Sequence, residues 1–316
     1  MSTSLLLDAL MRSVQVGSLY ALMAVGLTLT LAVFKLPNFA HAELITIGAY
    51  AALLTSIWMP ENLPIILSVA FICSGLTAWA GHKTVYRSLE KLKPSIYTLI
   101  LASFALGLIL RYIIFLIVDY FDLFDRRIQA PLAIWYQTDS LILTNIFFWV
   151  VPTAVGLIAL LSLLLNFTNL GREMRALADN PILARVIGIN IERVSVMTWL
   201  LVGGLAGVAG ALWGIYTSIN PLMGWLAILS VFAATVLGGM TSFTGTILGA
   251  YIVGLSENLL MQWLNIGFGL DFSFKPAIPF VIIILVLLFR PQGLTGFFDR
   301  VQTRHIVRQT DTGPAL

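Results

Sequence analysis

Val194–Ile219 reads VSVMTWLLVGGLAGVAGALWGIYTSI and carries no charged residue along its whole length. A helix needs roughly 20 predominantly apolar residues to span a bilayer core, so this run is one crossing. Its glycines fall in rows. On a helix Gly203 stacks with Gly207, and Ala206 stacks with Gly210 and Gly214. Such small-xxx-small rows let backbones approach closely in lipid, which identifies a packing seam, within one subunit or between subunits.

Similar runs lie on both sides of this one. Val16–Phe34, Leu44–Met59, Leu63–Ala80, Ile96–Val118, Leu141–Leu165, Leu222–Met240, Phe243–Leu264 and Pro276–Phe289 are free or nearly free of charge. The expectation is an all-α, polytopic transmembrane bundle of about 8–9 segments, forming one transmembrane domain over residues 1–316, with the shorter runs broken or re-entrant. Composition agrees: 59% of the 316 residues are hydrophobic and 10% are charged, too few for a water-facing surface. Asp8 and Arg12 precede the first long run in place of a basic leader and cleavage site, so that run reads as a retained span. The one cysteine, Cys73, rules out a disulfide framework and a Cys-based zinc site. Net charge +3 does not indicate nucleic acid, because the basic residues sit beside apolar spans.

Those basic residues also orient the chain. Lys83, Arg87, Lys91 and Lys93 share one loop, Arg172, Arg175, Arg185 and Arg193 another, and Arg290, Arg300, Arg304 and Arg308 the C-terminal tail. Even numbers of crossings separate the three groups, which places all of them, and the polar tail 297–316, in the cytoplasm. Asp119 to Asp139 then lies outside, and parity puts the N-terminus outside as well. Gly48-Ala49-Tyr50 and Gly249-Ala250-Tyr251 match, but a tripeptide does not establish an internal repeat.

Two breaks are candidates for a translocation pathway or gate. In the first, Pro37 discourages helix, Asn38 can cap the helix that follows, and Glu43 sits where a helix N-terminus favours an acid. Capping alone accounts for this pattern, yet ionisable groups at membrane depth, here His41 and Glu43, are functional candidates. Two apart, they point to different sides of a helix, which argues against a paired metal or acid/base site. The second break is Gly238-Gly239 with Thr241, either a pathway element or a surface turn. Arg111 and Glu257, also inside spans, either pair with each other or snorkel.

The polar loop 167–193 holds Gly171-Arg172-Glu173-Met174-Arg175-Ala176-Leu177-Ala178-Asp179-Asn180-Pro181-Ile182-Leu183-Ala184-Arg185-Val186-Ile187-Gly188. Pro181 after Asn180 starts a second short helix and Gly188 stops it. Two short cytoplasmic helices of mixed basic and apolar character suit a partner protein, or else lie on anionic lipid headgroups.

From these residues a resemblance follows. Gly17-Ser18-Leu19-Tyr20-Ala21-Leu22, Asn38-Phe39-Ala40-His41-Ala42-Glu43, Gly171-Arg172-x-x-Arg175-Ala176-x-Ala178-x-Asn180, Leu237-Gly238-Gly239-Met240 and Arg290-Pro291-Gln292-Gly293-Leu294 resemble, in order, the branched-chain amino-acid ABC transporter permease family. Ala42 and Thr241 stand where the family usually has glycine. The resemblance implies a multi-pass inner-membrane subunit of an ATP-driven importer. Its partners would be two ABC ATPases, a second permease subunit (a paralogue or another copy) and an extracytoplasmic solute-binding protein. It also implies that Gly171, Arg172, Arg175, Ala176, Ala178, Asp179, Asn180, Pro181, Ala184 and Gly188 form the coupling element that docks on the ATPase. No glycine precedes a lysine, so the phosphate-cradling G-x-x-x-x-G-K-[ST] loop is missing; the chain itself binds no cofactor, and ATP and Mg are used by the partners.

The expected function is transport without catalysis, with branched-chain or other hydrophobic amino acids as cargo. Urea or a short amide is the alternative cargo. An ATP-independent transporter would need more ionisable residues at the midplane than are present. An intramembrane enzyme would need a constellation that His41, His82 and His305 do not form. Ala178→Glu and Gly171→Trp are expected to uncouple transport without unfolding the chain.

Overall fold

The computed structural model describes residues 3–60, 62–92, 94–128, 134–138 and 141–294. Lys93, Asp139, Arg300, Arg304, His305, Arg308 and the tail 297–316 lie outside the described residues.

Each of the nine apolar runs becomes helix. They correspond to α1 (Thr3–Phe34), α2 (His41–Trp58), α3 (Leu63–Gly81), which continues through a π turn at His82–Tyr86 into α4 (Arg87–Glu90), and α5 (Ile96–Tyr120). After a short antiparallel hairpin, β1 (Ile134–Thr138) and β2 (Leu141–Thr144), come α6 (Asn145–Phe167), α7 (Asn169–Asp179), α8 (Pro181–Val186) and α9 (Ile191–Tyr216). The chain ends with α10 (Met223–Gly238), α11 (Phe243–Leu255), a π turn at Ser256–Leu260, α12 (Met261–Phe268), a 3-10 turn at Phe272–Phe274, and α13 (Ala277–Phe289). The hairpin corrects the expected span at Leu141–Leu165: its first four residues pair as a strand and the helix starts at Asn145.

Among the described residues, seven helices are long and apolar enough to cross a membrane. α10 is shorter, and α2 is not one of the seven because His41 and Glu43 dilute its hydropathy. The centre and rim of the bundle separate by burial. The most apolar window of α1 is 89% buried and that of α9 78%, against 22% for α5 and 11% for α13. Apolar side chains on α5, α6 and α13 therefore face outward, where lipid covers them. α5 turns only one stripe inward, Ser103, Gly107, Arg111, Ile114 and Val118, at helical spacing.

α9 and α1 each carry an antiparallel partner. Gly203 of α9 lies against Gly75 and Ala78 of α3, and Gly207 against Ala70 and Ser74. Thr28 of α1 meets Thr246 of α11, and Gly17 meets Gly254. Both partners, α3 and α11, run into a π turn, and each packs with a further helix, α2 and α10 respectively. The matching Gly-Ala-Tyr triplets sit on α2 and α11, which are not counterparts in this pairing, so the tripeptide does not mark the relation. A methyl at Gly48 would fall on the backbone of Gly207, and one at Gly210 on the Ile45 carbonyl, so the α9 glycine rows seat α2 and α3 within the chain.

The bundle has two chemically distinct ends. Lys83, Arg87, Arg172, Arg175, Arg185, Arg193 and Arg290 gather where α3, α6 and α13 finish and α9 begins. Asp8, Asp119, Asp122, Asp125 and Asp271 gather at the opposite end with Arg12, Arg126, Arg127 and Lys275.

Candidate functional site

At the basic end, α7 and α8 form an elbow held by side-chain caps. Thr168 Oγ1 accepts from Gly171 N at 3.2 Å, Asn180 Oδ1 accepts from both Ile182 N and Leu183 N at 3.0 Å, and Asn190 Oδ1 accepts from Arg193 N at 3.0 Å. Pro181 occupies the first turn of α8, where its missing N–H costs nothing. Gly188, at φ +87°, turns the chain away in the left-handed region that glycine tolerates. One face of α7 is buried through Gly171, Met174 and Leu177, against α1, α6 and α9. Arg175 donates to the Leu165 carbonyl at the end of α6, and Arg172 donates to Asn169.

α8 does the reverse. Ala184 alone is buried, while Ile182, Leu183, Val186 and Ile187 are 78, 59, 76 and 66% exposed. Arg185 and Asp179 flank this apolar face, also exposed. Gly171 cannot accept tryptophan, because even a methyl there would strike the carbonyls of Leu164 and Leu165. That corrects the expectation that Gly171→Trp leaves the fold intact: the glycine is a packing contact beneath the elbow, and the exposed apolar face lies on α8.

Halfway through the bundle, the starts of α2 and α10 meet. Gly224 N donates to Thr46 Oγ1 at 3.2 Å, and a methyl on Gly224 would fall on the Ala42 carbonyl. Both starts lie beside the middles of longer helices: His41 Nε2 donates to the Met23 carbonyl of α1 at 2.9 Å, and Arg111 of α5 reaches Glu43. Arg111 donates through Nε at 2.9 Å and Nη2 at 2.6 Å to the same oxygen, Glu43 Oε1, leaving Oε2 without a hydrogen-bond partner among the described residues. The Trp225 ring caps the guanidinium at 4.2 Å, and Phe104 stands edge-on to Trp225. Glu43 is fully buried, and its place in the first turn of α2 sets a negative charge against the positive end of the helix. The pair is thus Arg111 with Glu43, not Arg111 with Glu257. Glu257 accepts from Tyr20 Oη at 2.8 Å and Ser230 Oγ at 2.5 Å.

Asn38 does not cap α2 itself. Its Oδ1 accepts from Ala40 N at 3.1 Å in the turn before the helix, and from Tyr86 Oη at 2.9 Å. Tyr86 comes from the π turn after α3 and stacks on Trp199 of α9 at 4.9 Å, with Phe34 on Trp199 at 5.3 Å. Trp199 stands two turns into the helix that leaves the elbow, and Arg87 pairs with Glu192 at that helix's start. A continuous packed route therefore joins the elbow, the π turn and Asn38.

Gly238, Gly239 and Thr241 are not part of this junction. Gly239 (φ +104°) and Met240 (φ +56°) end α10 at the basic end, where Leu294 N donates to the Leu237 carbonyl at 2.8 Å. Thr241 lines a cavity of about 300 Å³ shared with Arg175, Ser162 and Asn166, close to the elbow. The true counterpart of the Pro37-Asn38 break is Thr217–Leu222, which precedes α10. Asn220-Pro221 within it is the available sequence signal, an Asn-Pro turn initiator between two apolar runs.

Residues 9–289 match the family model described as branched-chain amino acid transport system / permease component. Over 286 residues the chain is 34% identical to the probable branched-chain amino acid transport permease protein LivH of Methanocaldococcus jannaschii, covering 89% of each chain. It is 28% identical over 310 residues to the high-affinity branched-chain amino acid transport system permease protein LivH of Escherichia coli K12, covering 92% of this chain and 95% of that one. The ribose import permease protein RbsC of the same bacterium is 32% identical over 149 residues, covering 44% of this chain and 45% of that one.

Proposed function

The chain belongs to the branched-chain amino-acid transport permease family, and from that premise we propose that it is the membrane-spanning subunit of an ATP-driven importer of hydrophobic amino acids. The observation that carries the reading is the elbow: an apolar face on α8, exposed at the basic end and held in place by three caps. An apolar patch rimmed by charge is what a protein partner covers. The partner that fits is a cytoplasmic ATPase, two per transporter, using ATP and Mg, with the basic end on the cytoplasmic side as the loop-charge rule requires. A second permease subunit completes the pathway, and an extracytoplasmic binding protein delivers cargo to the opposite end.

In this reading ATP binding pulls the elbow. α9 starts three residues after Gly188, so the pull moves Trp199 and with it Tyr86, whose hydroxyl holds Asn38. Asn38 fixes the turn before α2, and α2 and α10 meet at their starts; shifting that turn changes the junction beside Arg111 and Glu43. The junction is the gate, and Gly203, Gly207 and Gly210 form the close-packed seam on which α2 and α3 slide, while Gly214 packs against Ile219 and Ile128. Gly238, Gly239 and Thr241 belong to the coupling end.

Co-purification of the chain with its ATPases, followed by ATP hydrolysis in lipid nanodiscs, tests the proposal. Ile182→Asp with Leu183→Asp is expected to abolish ATPase association while the thermal melting of the permease stays within a few degrees. Undiminished association would refute it.

A further inference from the structure

At the end opposite the elbow lies a cavity of about 280 Å³ bounded by the start of α1, the end of α9, the π turn after α11 and the segment leading to α13. Asp8, Arg12, Glu257 and Lys275 bring charges of both signs to its wall in equal number, and Asn258 and Gln262 add amides. Ligand pockets begin near 300 Å³, so the space suits a small solute or the polar head of a larger one.

Two of these charges are placed with unusual care. Glu257 is 2% exposed, inside a membrane-spanning helix, where an ionisable side chain is expensive and marks function by default. It sits in a π turn, an irregularity that recurs at functional sites. Tyr20 and Ser230 donate one hydrogen bond to each carboxylate oxygen, which leaves each oxygen further acceptor capacity. Lys275 does not close on Glu257. Its ammonium donates to Asn258 Oδ1 at 3.0 Å, and two of its three N–H donors remain for a ligand. From α1, Arg12 adds a second cation to the wall, held by Asp8 at 2.8 Å. The cavity thus offers a buried anion and a cation that forms no direct ion pair with it.

We propose that this cavity binds the head of an α-amino acid, its ammonium at Glu257 and its carboxylate at Lys275 with Arg12 beside it. The proposal rests on the permease reading and deepens it by assigning to named residues of this subunit a site for the charged head of the cargo. Charge explains the choice. A zwitterion satisfies both groups, whereas an anion leaves Glu257 facing like charge and a neutral solute such as urea pairs with neither group fully. The lining is mostly polar, so the head is read here and the side chain is left to other parts of the importer. A zwitterionic lipid headgroup shares the chemistry, and the test separates the two sources.

The complex of this chain with its partner permease and ATPases, in nanodiscs without binding protein, is titrated with L-leucine, L-leucinamide, 4-methylpentanoate and urea. Leucine is expected to bind, with the other three at least tenfold weaker. Glu257→Gln and Lys275→Met are each expected to weaken leucine binding at least tenfold, and Lys275→Arg less than threefold, with melting temperatures recorded for each. The Lys275 pair carries the test if Glu257→Gln fails to fold. Leucine affinity should agree within threefold between phosphatidylglycerol discs and discs rich in phosphatidylethanolamine; a tenfold loss in the latter assigns the cavity to lipid and overturns the proposal. Equal binding of leucine and leucinamide, or no effect of Lys275→Met, also overturns it. A complex that hydrolyses ATP but binds no leucine overturns this inference alone, whereas failure of the ATPases to associate strikes the permease reading beneath it.

Discussion

The elbow and the helix-start junction break opposite rules. α8 shows water a row of aliphatic side chains, Ile182, Leu183, Val186 and Ile187, although caps could have been built without them. The junction hides an ion pair, Arg111 with Glu43, in a mostly apolar interior. Burying ions has a desolvation cost that direct pairing only partly offsets, and exposed apolar rows favour association. The two departures therefore call for different explanations. On the proposed reading a partner covers the elbow, whereas the junction pairs its two charges within the chain, at a cost.

The largest expected effect separates them on stability. Arg111→Leu strands Glu43 without a counter-ion and should lower stability by about 3–5 kcal/mol, read by thermal melting in detergent. Adding Glu43→Leu should restore most of the loss, because a buried pair replaced whole by apolar groups is close to neutral. If the double variant is as unstable as the single one, the pair is not the unit described here.

The elbow should respond in the opposite sense. Ile182→Asp with Leu183→Asp is expected to cost at least tenfold in ATPase affinity and leave melting within a few degrees, since neither side chain packs on the bundle. A joint loss of folding and affinity would make the elbow structural. Smaller again is Tyr86→Phe, which removes the hydrogen bond to Asn38 at a cost of about 1 kcal/mol. Its diagnostic is the ratio of substrate-stimulated to basal ATP hydrolysis, which should fall while ATPase affinity is unchanged. Smallest is Arg172→Ala, an exposed residue bonded to its neighbour Asn169, expected to shift stability by no more than about 0.5 kcal/mol.

How much of this was legible in the sequence follows from the range of each signal. Apolar runs, the Pro37 and Gly239 breaks, and the Asn180-Pro181 start of α8 are local, and all appear where the residues put them. Partner choice among ionisable groups is not local. Glu43 lies 68 positions from Arg111, and nothing in either neighbourhood distinguishes that pairing from Arg111 with Glu257. The kinship of the two breaks was obscured for a related reason. Gly238-Gly239 carries the stronger turn chemistry, yet the segment that meets α2 is Thr217–Leu222, and only tertiary packing brings Gly224 onto Ala42. The strand Leu141–Thr144 was absorbed into an apolar run because four residues of strand and a helix start have no separate period. Gly171 reads in sequence as part of the coupling element, and its role as a contact between the start of α7 and the end of α6 is visible only in the packing.

The central claim is that the elbow faces the cytoplasm and is covered there by another protein. Cys73 is exposed and is first replaced by serine; a single cysteine is then placed at Leu183 (Leu183→Cys). A membrane-impermeant maleimide should label it in inside-out vesicles stripped of ATPase, fail to label it in intact cells, and lose most of its access when the ATPases are added back. Labelling in intact cells, or labelling in stripped vesicles that the ATPases do not diminish, would contradict the account.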